Sequence, residues 1–380
     1  MSSCTFHTVW EQWWTWLGIA VAVLFAGVGL ALVLSSRQSG RHTTATSRPA
    51  RDTFRAEDAE PAPRKRLAVV LNPTKVEGDS VHAIVRGVCE EHGWDEPLFL
   101  ETEEHDVGFG QTRTALGEGV DVVCAFGGDG TVRAVAQEMA GSGVPMGLLP
   151  GGTGNLLARN LELPTDDLTR SVDLAVTGRN RHIDVGWLTL DPSEAHLEEH
   201  VGEGASLGQR RHAFLVMAGL GLDAAIMGDT SEKLKSRIGW TAYIPAGLKN
   251  LLVRRFRARV SIDGGPEVTY RARTILVGNC GKLTGGINLM PDAEPDDATL
   301  DVVVLAPRGI VAWAAVAARV LVKSGRTTPT LDRYRCQAAR VEVDHPQRIE
   351  LDGDIVGEAS HVEVEVQAKA LIVRVEAGRP

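Results

Sequence analysis

The sequence is poor in the residues that build disulfide or zinc frameworks. Its 380 residues include five cysteines, with no CxxC pair and no histidine pairing at metal-ligand spacing. Such a set indicates reduced thiols that are buried or incidental. A disulfide scaffold is therefore not expected, and the globular part suits a reducing compartment.

Positive charge is also scarce. The chain has 40 Lys and Arg against 49 Asp and Glu, which gives a net charge of -9. Nucleic-acid binding needs a basic surface, so nucleic acid is not expected as a partner. No internal repeat is present, and a length of 380 residues suits two domains.

One long run without charge extends from Trp16 to Leu34. As a helix it would measure about 28 Å, enough to cross a bilayer. Tryptophans crowd its start and arginines follow its end, so the positive-inside rule predicts a single-pass cell-membrane protein whose catalytic part is cytoplasmic. A cleaved signal peptide is the alternative, but no A-x-A site follows. Residues 1–34 are predicted as the membrane-spanning segment and 35–66 as a flexible tether.

Residues 67–180 alternate short apolar strands with helical patterns. Val120 to Phe126 is nearly continuous apolar, as in a strand buried on both faces, and Val81 to His92 is helical in character. This alternation predicts a parallel sheet with helices on both faces.

Residues 181–376 are mostly β-rich, with Gly, Pro and Asp between the segments. The pattern predicts an antiparallel sandwich or barrel-like domain. Helices are predicted at 232–255 and 310–323, and an exposed acidic loop at 191–209. The helix at 232–255 carries apolar and basic side chains, so it could pack on the sandwich or lie on an anionic membrane surface.

Two glycine-rich turns carry the candidate chemistry. The chain has no GxxxxGK[ST] motif and no GxGxxG followed by a ribose-binding acid. Instead GGDGT (127–131) and PGGTGN (150–155) each stand between a strand and a helix. Glycines there let main-chain amides approach phosphate oxygens. Asp129 adds a carboxylate that requires a Mg²⁺ ion or a hydroxyl donor between it and a phosphate, and Thr131 can cap the helix.

These turns carry a family resemblance. "GGDGTV" followed by "GLLPGGTGNLLARNLELP" resembles the diacylglycerol kinase catalytic domain, whose superfamily includes bacterial soluble lipid kinases, sphingosine kinases and ceramide kinases. Weaker motifs follow in the family's order, including "AGLGLDA" (218–224) and "LDGD" (351–354). The resemblance implies a fold of class α/β plus all-β. A Rossmann-like nucleotide-binding domain (67–180) precedes a β-sandwich lipid-binding domain (181–376), with the active site in the interdomain cleft.

The resemblance also assigns residues. Nucleotide contacts fall on Asn72, Pro73, Thr74, Lys75, Thr102, Gly127, Gly128, Gly130, Thr131, Thr153 and Asn155. Asp129 is implied to bind or orient the phosphates and metal. The family's base is a late "DGE" carboxylate; here "DGD" leaves Asp352 and Asp354 both open.

A structural Mg²⁺ is implied on Asp297, with main-chain oxygens of Glu294 and Thr299. Two positions depart from the family pattern: Ala298 stands where Gly is usual, and Arg133 where Asn is common.

The predicted function is transfer of the γ-phosphoryl group of ATP, with Mg²⁺, to the hydroxyl of a membrane lipid, diacylglycerol giving phosphatidic acid. Expected partners are that lipid, the cytoplasmic membrane through the N-terminal helix, and a second copy in a homodimer. The alternatives are NAD kinase and a catalytically silent membrane-anchored protein that binds lipid or nucleotide. Asp184 and Asp223 are interpreted equally as cleft residues or as buried structural carboxylates.

Overall fold

The computed structural model describes six stretches of the chain: residues 64–75, 80–191, 211–221, 255–282, 290–307 and 331–377. Several predictions fall on other residues and so lie outside the described part. These are the span at 16–34, most of the tether and of the acidic loop, Asp223, the helix at 310–323 and nearly all of the helix at 232–255.

The described elements follow one another in the predicted order. The helices are α1 (Ser80–Glu91), α2 (Phe109–Gly117), α3 (Asp129–Met139), α4 (Leu156–Asn160) and α5 (Leu168–Thr177), with a 3-10 turn at Pro73–Lys75. The strands are β1 (Leu67–Leu71), β2 (Leu98–Glu101), β3 (Val122–Gly127), β4 (Met146–Pro150), β5 (Arg179–Asp191), β6 (Arg211–Phe214), β7 (Met217–Leu220), β8 (Phe256–Ile262), β9 (Val268–Ala272), β10 (Thr274–Gly278), β11 (Leu300–Leu305), β12 (Leu331–Cys336), β13 (Ala338–Leu351) and β14 (Asp354–Val375).

The first half is a parallel sheet in the order β4-β3-β1-β2. β1 and β3 are buried along their whole length, as continuous apolar runs predict. Alternate side chains pack on opposite faces: Val69 lies in one core with α1 and α5, and Val70 lies in another with α3. Helices therefore cover both faces, which confirms the predicted α/β class of this half.

The second half is antiparallel. β14 pairs with β13 on one side and with β5 on the other, and β7, β10, β11 and β12 extend the sheet beyond β13. Leu188, Phe214, Ile275 and Ile349 contribute to a separate apolar core in this half. The predicted all-β character is confirmed for the described residues.

β14 joins the two halves. Its Val373 pairs in parallel with Met146 of β4, so one sheet continues from the first half into the second. The turn between β13 and β14 lies against the start of α3, since a Cβ at Gly130 would lie 2.6 Å from Asp354 Oδ2. The fold thus brings the late "LDGD" motif to the first glycine-rich turn.

The predicted cell-membrane location needs correction. Among the residues that the structure describes, no helix is long and apolar enough to cross a membrane. The run from Trp16 to Leu34 lies outside those residues. On this finding the prediction of a single-pass cell-membrane protein is wrong, and we do not carry it into the function.

Candidate active site

Most predicted nucleotide contacts lie at one edge of the parallel sheet. Asn72 follows β1, Thr102 follows β2, Gly127 ends β3 and Pro150 ends β4. Because these strands are parallel, their carboxyl ends meet at the same edge, where open α/β sheets bind their ligands. The Asn72 N–H donates to the Phe126 carbonyl at 2.9 Å, which ties the end of β1 to that of β3.

The two glycine-rich turns are in direct backbone contact. The Gly151 N–H donates to the Gly127 carbonyl at 3.2 Å. A Cβ at Gly152 would lie 2.7 Å from the Gly128 Cα, and a Cβ at Gly127 would lie 2.7 Å from the Thr131 side chain. A larger residue at position 152 would force the turns apart and one at position 127 would clash within the first turn, so close packing already requires glycine at both positions.

Asp129 links the first turn to the second. It begins α3, and its Oδ1 accepts a hydrogen bond from the Leu156 N–H at 2.6 Å. Burial, together with the carboxylates of Asp352 and Asp354, raises the pKa of Asp129 to about 6, against the effect of the amide donors. A carboxylate whose charge is so poorly compensated is typical of a functional site, and a cation would compensate it.

The second turn is closed by Asn155. This residue is buried, has the left-handed φ of 48° that asparagine tolerates, and donates from Nδ2 to the Gly152 carbonyl at 2.8 Å. Thr153, at the tip of the turn, is exposed. A Cβ at Gly154 would overlap the Asp129 carboxylate, so this glycine admits the side chain of the first turn.

The segment after β1 folds on its own side chain. Asn72 Oδ1 accepts from the Thr74 N–H at 3.0 Å and from the Thr74 hydroxyl at 2.7 Å, an Asx turn that leads into the 3-10 turn. Pro73, Thr74 and Lys75 are exposed at the sheet edge. Thr102 is buried beside them. Of these predicted nucleotide contacts, the first three are therefore accessible to a ligand and Thr102 is much less so.

Asp352 is a buried structural carboxylate. With Gly353 it forms the two-residue turn between β13 and β14, and both residues have positive φ, as type I′ hairpins require. The Asp352 carboxylate accepts from the N–H groups of Leu215, Val216 and Met217 at 2.8–2.9 Å. Burial raises its pKa, which the three amide donors oppose. These contacts fasten the hairpin turn to the corner between β6 and β7.

Asp354, two residues later, is differently placed. Its side chain is 50% exposed, and its Oδ2 accepts one hydrogen bond, from Arg133 Nη2 at 3.3 Å. No second hydrogen bond to this carboxylate is found within the described stretches. Because Asp354 lies beside Gly130 with free lone pairs, it suits the role of a base better than Asp352 does.

Sequence reasoning did not assign three neighbours of this cluster. Glu350 is buried in β13, and burial and the carboxylates of Asp354 and Asp352 raise its pKa. His212 in β6 has its pKa lowered by burial and then by Arg133. Arg133 itself was noted only as a departure from the family. A charged residue between apolar strand neighbours, as in "IEL", was the available signal for Glu350.

Asp184 is a structural carboxylate, which decides between its two interpretations. It is 0% exposed, and its oxygens accept from the N–H groups of Ala298 at 2.6 Å and Lys369 at 2.7 Å. Lys369 has a positive φ and lies within an irregularity of the β5–β14 pairing. Asp184 therefore anchors the loop before β11 to β14.

The residues predicted for a structural Mg²⁺ do not fit one. Asp297 Oδ1 accepts from the Thr299 N–H at 3.0 Å and from its hydroxyl at 2.7 Å. The other oxygen, Oδ2, pairs with the guanidinium of Arg335. Glu294 is exposed, and residues 290–307 and the other described stretches contain no cluster of three or more His, Cys, Asp or Glu suited to a metal. A cationic side chain stands where the ion was predicted.

The joined turns do fit phosphates and a nucleotide-borne Mg²⁺. Bare glycine backbones at Gly128 and Gly152 face one another at the sheet edge, without the Cβ atoms that would fill that edge. Mg²⁺ commonly uses one or two protein carboxylates together with phosphate oxygens rather than an all-protein cage. Asp129 would be the carboxylate that holds it; burial and neighbouring carboxylates raise its pKa, and a bound cation would lower that pKa.

Known families match both halves of the chain. The diacylglycerol kinase catalytic domain matches residues 66–188, and the YegS C-terminal NAD kinase beta sandwich-like domain matches residues 216–375. The second match supports the predicted sandwich-like class of the β-rich half.

Proteins of similar sequence or structure carry the name diacylglycerol kinase. A diacylglycerol kinase of Mycobacterium tuberculosis (strain H37Rv) is 27% identical over 62% of this chain and 72% of its own length. A diacylglycerol kinase of Bacillus subtilis (strain 168) is 25% identical over 77% of this chain and 91% of its own length. The crystal structure of a diacylglycerol kinase from Bacillus anthracis has a TM-score of 0.60 at 20% identity and covers 84% of this chain and 99% of that one, which shows a shared fold. The chain belongs to the diacylglycerol kinase catalytic-domain superfamily and is a kinase of that superfamily.

Proposed function

We propose that this kinase transfers the γ-phosphoryl group of ATP to the hydroxyl of a membrane lipid, with diacylglycerol as the acceptor and phosphatidic acid as the product. The observation that carries the proposal is the position of Asp354. Its half-exposed carboxylate lies against Gly130, in the turn that would hold the phosphates. A base and a phosphate cradle that face each other are what phosphoryl transfer to an alcohol requires.

The chain's own residues account for each part of the reaction. Main-chain amides of the two turns bind the phosphates, and Asp129 orients them. ATP with Mg²⁺ supplies the phosphoryl group and neutralises its charge. Asp354 accepts the proton of the lipid hydroxyl as the new O–P bond forms and the bond to the β-phosphate oxygen breaks, leaving ADP; the proton then passes to solvent. Asp352 keeps the hairpin turn, and hence Asp354, in place.

The base assignment follows from chemistry as well as position. Three backbone N–H groups donate to the Asp352 carboxylate and hold it in its present position, which keeps it from the hydroxyl of the acceptor lipid. Asp354 has access to solvent and a single long contact. A positioned carboxylate base commonly contributes about 100- to 10,000-fold in rate. The predicted homodimer and the choice among lipid alcohols stay predictions.

The test is a transfer assay on the purified full chain with labelled ATP and Mg²⁺. Parallel reactions offer mixed micelles containing diacylglycerol, a sphingoid base or ceramide, and NAD in solution. Label in phosphatidic acid is expected, and its loss in a folded Asp354→Asn variant would tie the activity to this site. Label in another lipid would overturn the choice of diacylglycerol. Label in NAD alone, or in no acceptor, would overturn the proposal.

A further inference from the structure

Arg133 occupies a position in the cluster that no family pattern explains. It lies one helical turn after Asp129 in α3, and its side chain is only 10% exposed. Its Nη2 donates to Asp354 Oδ2 at 3.3 Å. The guanidinium therefore stands beside the carboxylate that acts as the base in the proposed reaction.

The Arg133 side chain is not accounted for by packing. Its Nε is buried and has no hydrogen-bond partner in the described part of the chain. Buried donors without partners are rare and destabilising, so each one calls for an explanation. A neutral side chain of similar size would avoid this penalty, which indicates that the charge itself is used.

The surroundings show what the charge opposes. Glu350 and Asp352 are buried carboxylates of this cluster, and burial raises the pKa of each. For Glu350 the carboxylates of Asp354 and Asp352 raise the pKa further. Arg133 acts in the opposite direction on Asp352. On another side, His212 has a pKa lowered by burial and by Arg133, so it does not supply a second positive charge at neutral pH. Negative charge would otherwise accumulate where the triphosphate must enter.

We propose that Arg133 is a positioning residue that holds the Asp354 carboxylate at the first glycine-rich turn and offsets the negative charge that a nucleoside triphosphate meets there. The inference rests on the proposed function for the role of Asp354, but its electrostatic part concerns nucleotide binding alone. A guanidinium combines charge with a planar fork of donors, whereas lysine retains only the charge. Charge and orientation can therefore be separated by substitution.

The first measurement is binding without turnover, in the absence of lipid. Calorimetry with Mg²⁺ gives the dissociation constants of ATP and ADP for the wild type and for Arg133→Gln, Arg133→Lys and Arg113→Gln. Arg113 of α2 is the matched control. It pairs at 2.9 Å with Glu138 of α3, the helix that carries Arg133, but its side chain is 60% exposed. Arg133→Gln should raise the ATP-to-ADP ratio of dissociation constants about 5- to 10-fold, since ATP carries more negative charge. Arg133→Lys and Arg113→Gln should keep the wild-type ratio.

The second measurement separates kcat from KM. Arg133→Gln and Arg133→Lys should both lower kcat about 10-fold or more and leave KM for the lipid unchanged, because neither variant holds the base in place. In an Asp354→Asn background, Arg133→Gln should cause no further loss of kcat, a coupling that a merely structural role would not produce.

The outcomes distinguish this inference from the proposed function. If the wild type phosphorylates no lipid, the proposed function fails, while the ATP-to-ADP ratio still tests the charge of Arg133. If Arg133→Gln does not fold, Arg133→Lys and Asp354→Asn remain; the latter should tighten ATP binding relative to ADP by removing a negative charge. A ratio within twofold of the wild type in Arg133→Gln, or additive losses of kcat in the double variant, would overturn the assignment.

Discussion

Asp352 and Asp354 flank one glycine, yet they face opposite environments. Asp352 is 5% exposed and receives three backbone N–H groups from the corner between β6 and β7. The Asp354 side chain is 50% exposed and receives one long hydrogen bond from Arg133. The fold uses the hydrogen-bonding capacity of the first carboxylate, and the second remains half exposed beside the first glycine-rich turn.

The same contrast extends to larger regions. In and around the loop before β11, the oxygens of Asp184 in β5 and of Asp297 are engaged by backbone amides, by Thr299 and by Arg335. At the glycine-rich turns, burial and the carboxylates of Asp352 and Asp354 raise the pKa of Asp129. A carboxylate whose hydrogen-bond donors all come from the protein stabilises the fold. One that lacks such donors is available to bind a ligand. Each variant below tests this division.

The largest expected effect is on turnover in Asp354→Asn. Loss of the base should lower kcat about 100- to 10,000-fold. The free energy of unfolding should change by less than about 0.5 kcal/mol, because the side chain is half exposed. A transfer assay and urea denaturation measure the two quantities. Glu363→Gln is a matched control, since Glu363 is 49% exposed, lies on the same strand and pairs with Arg340 at 2.6 Å. Nearly full activity in Asp354→Asn would break the comparison.

Asp352→Ala should show the opposite result, a large loss of stability with little direct effect on kcat. Removing this carboxylate leaves three buried N–H groups unpaired, which should lower the free energy of unfolding by about 2–4 kcal/mol. Urea denaturation measures the loss, and activity should fall mainly through the unfolded fraction. A loss below about 1 kcal/mol would show that the turn does not depend on Asp352.

The pH dependence of stability in Asp129→Asn tests whether Asp129 is an uncompensated carboxylate. The folded pKa of Asp129, about 6 against an ordinary 3.8, means that the folded state binds more protons than the unfolded state between these values. Stability therefore falls as pH rises through this window, and the loss is complete above the folded pKa. In metal-free, nucleotide-free protein at about pH 7.5, Asp129→Asn should be more stable than the wild type by about 1–3 kcal/mol, while its kcat falls. Thermal unfolding of both proteins between about pH 4 and pH 7.5 is the measurement, and parallel curves would contradict it.

The smallest expected effect concerns Asp297, in the loop before β11. Because Arg335 pairs with Asp297, chelating Mg²⁺ in the absence of nucleotide should leave the melting temperature unchanged. The Arg335 side chain is 52% exposed, so Arg335→Gln should cost at most about 1 kcal/mol. A melting temperature that falls on chelation and recovers with added Mg²⁺ would restore the predicted structural ion.

Much of the site was predictable because its residues are local in sequence. The glycine-rich turns follow apolar strands, and parallel strands place their carboxyl ends together, so Gly127 and Gly152 could be expected near each other. The roles of Asp352 and Asp354 could not be separated, because the direction of each side chain depends on the turn geometry and on residues 215–217 far away in sequence. Arg335 beside Asp297 was unpredictable for the same reason.

The sequence by itself determined the α/β and β-rich halves, the two glycine-rich turns and the family, since periodicity, glycine spacing and motif order are properties of short segments. Only the tertiary structure decided which carboxylates are satisfied and which remain available. A carboxylate's burial and its hydrogen-bond donors come from distant strands, as with Arg133 and Asp354, which lie 221 residues apart. Its charge state, and therefore its use, depends on those neighbours.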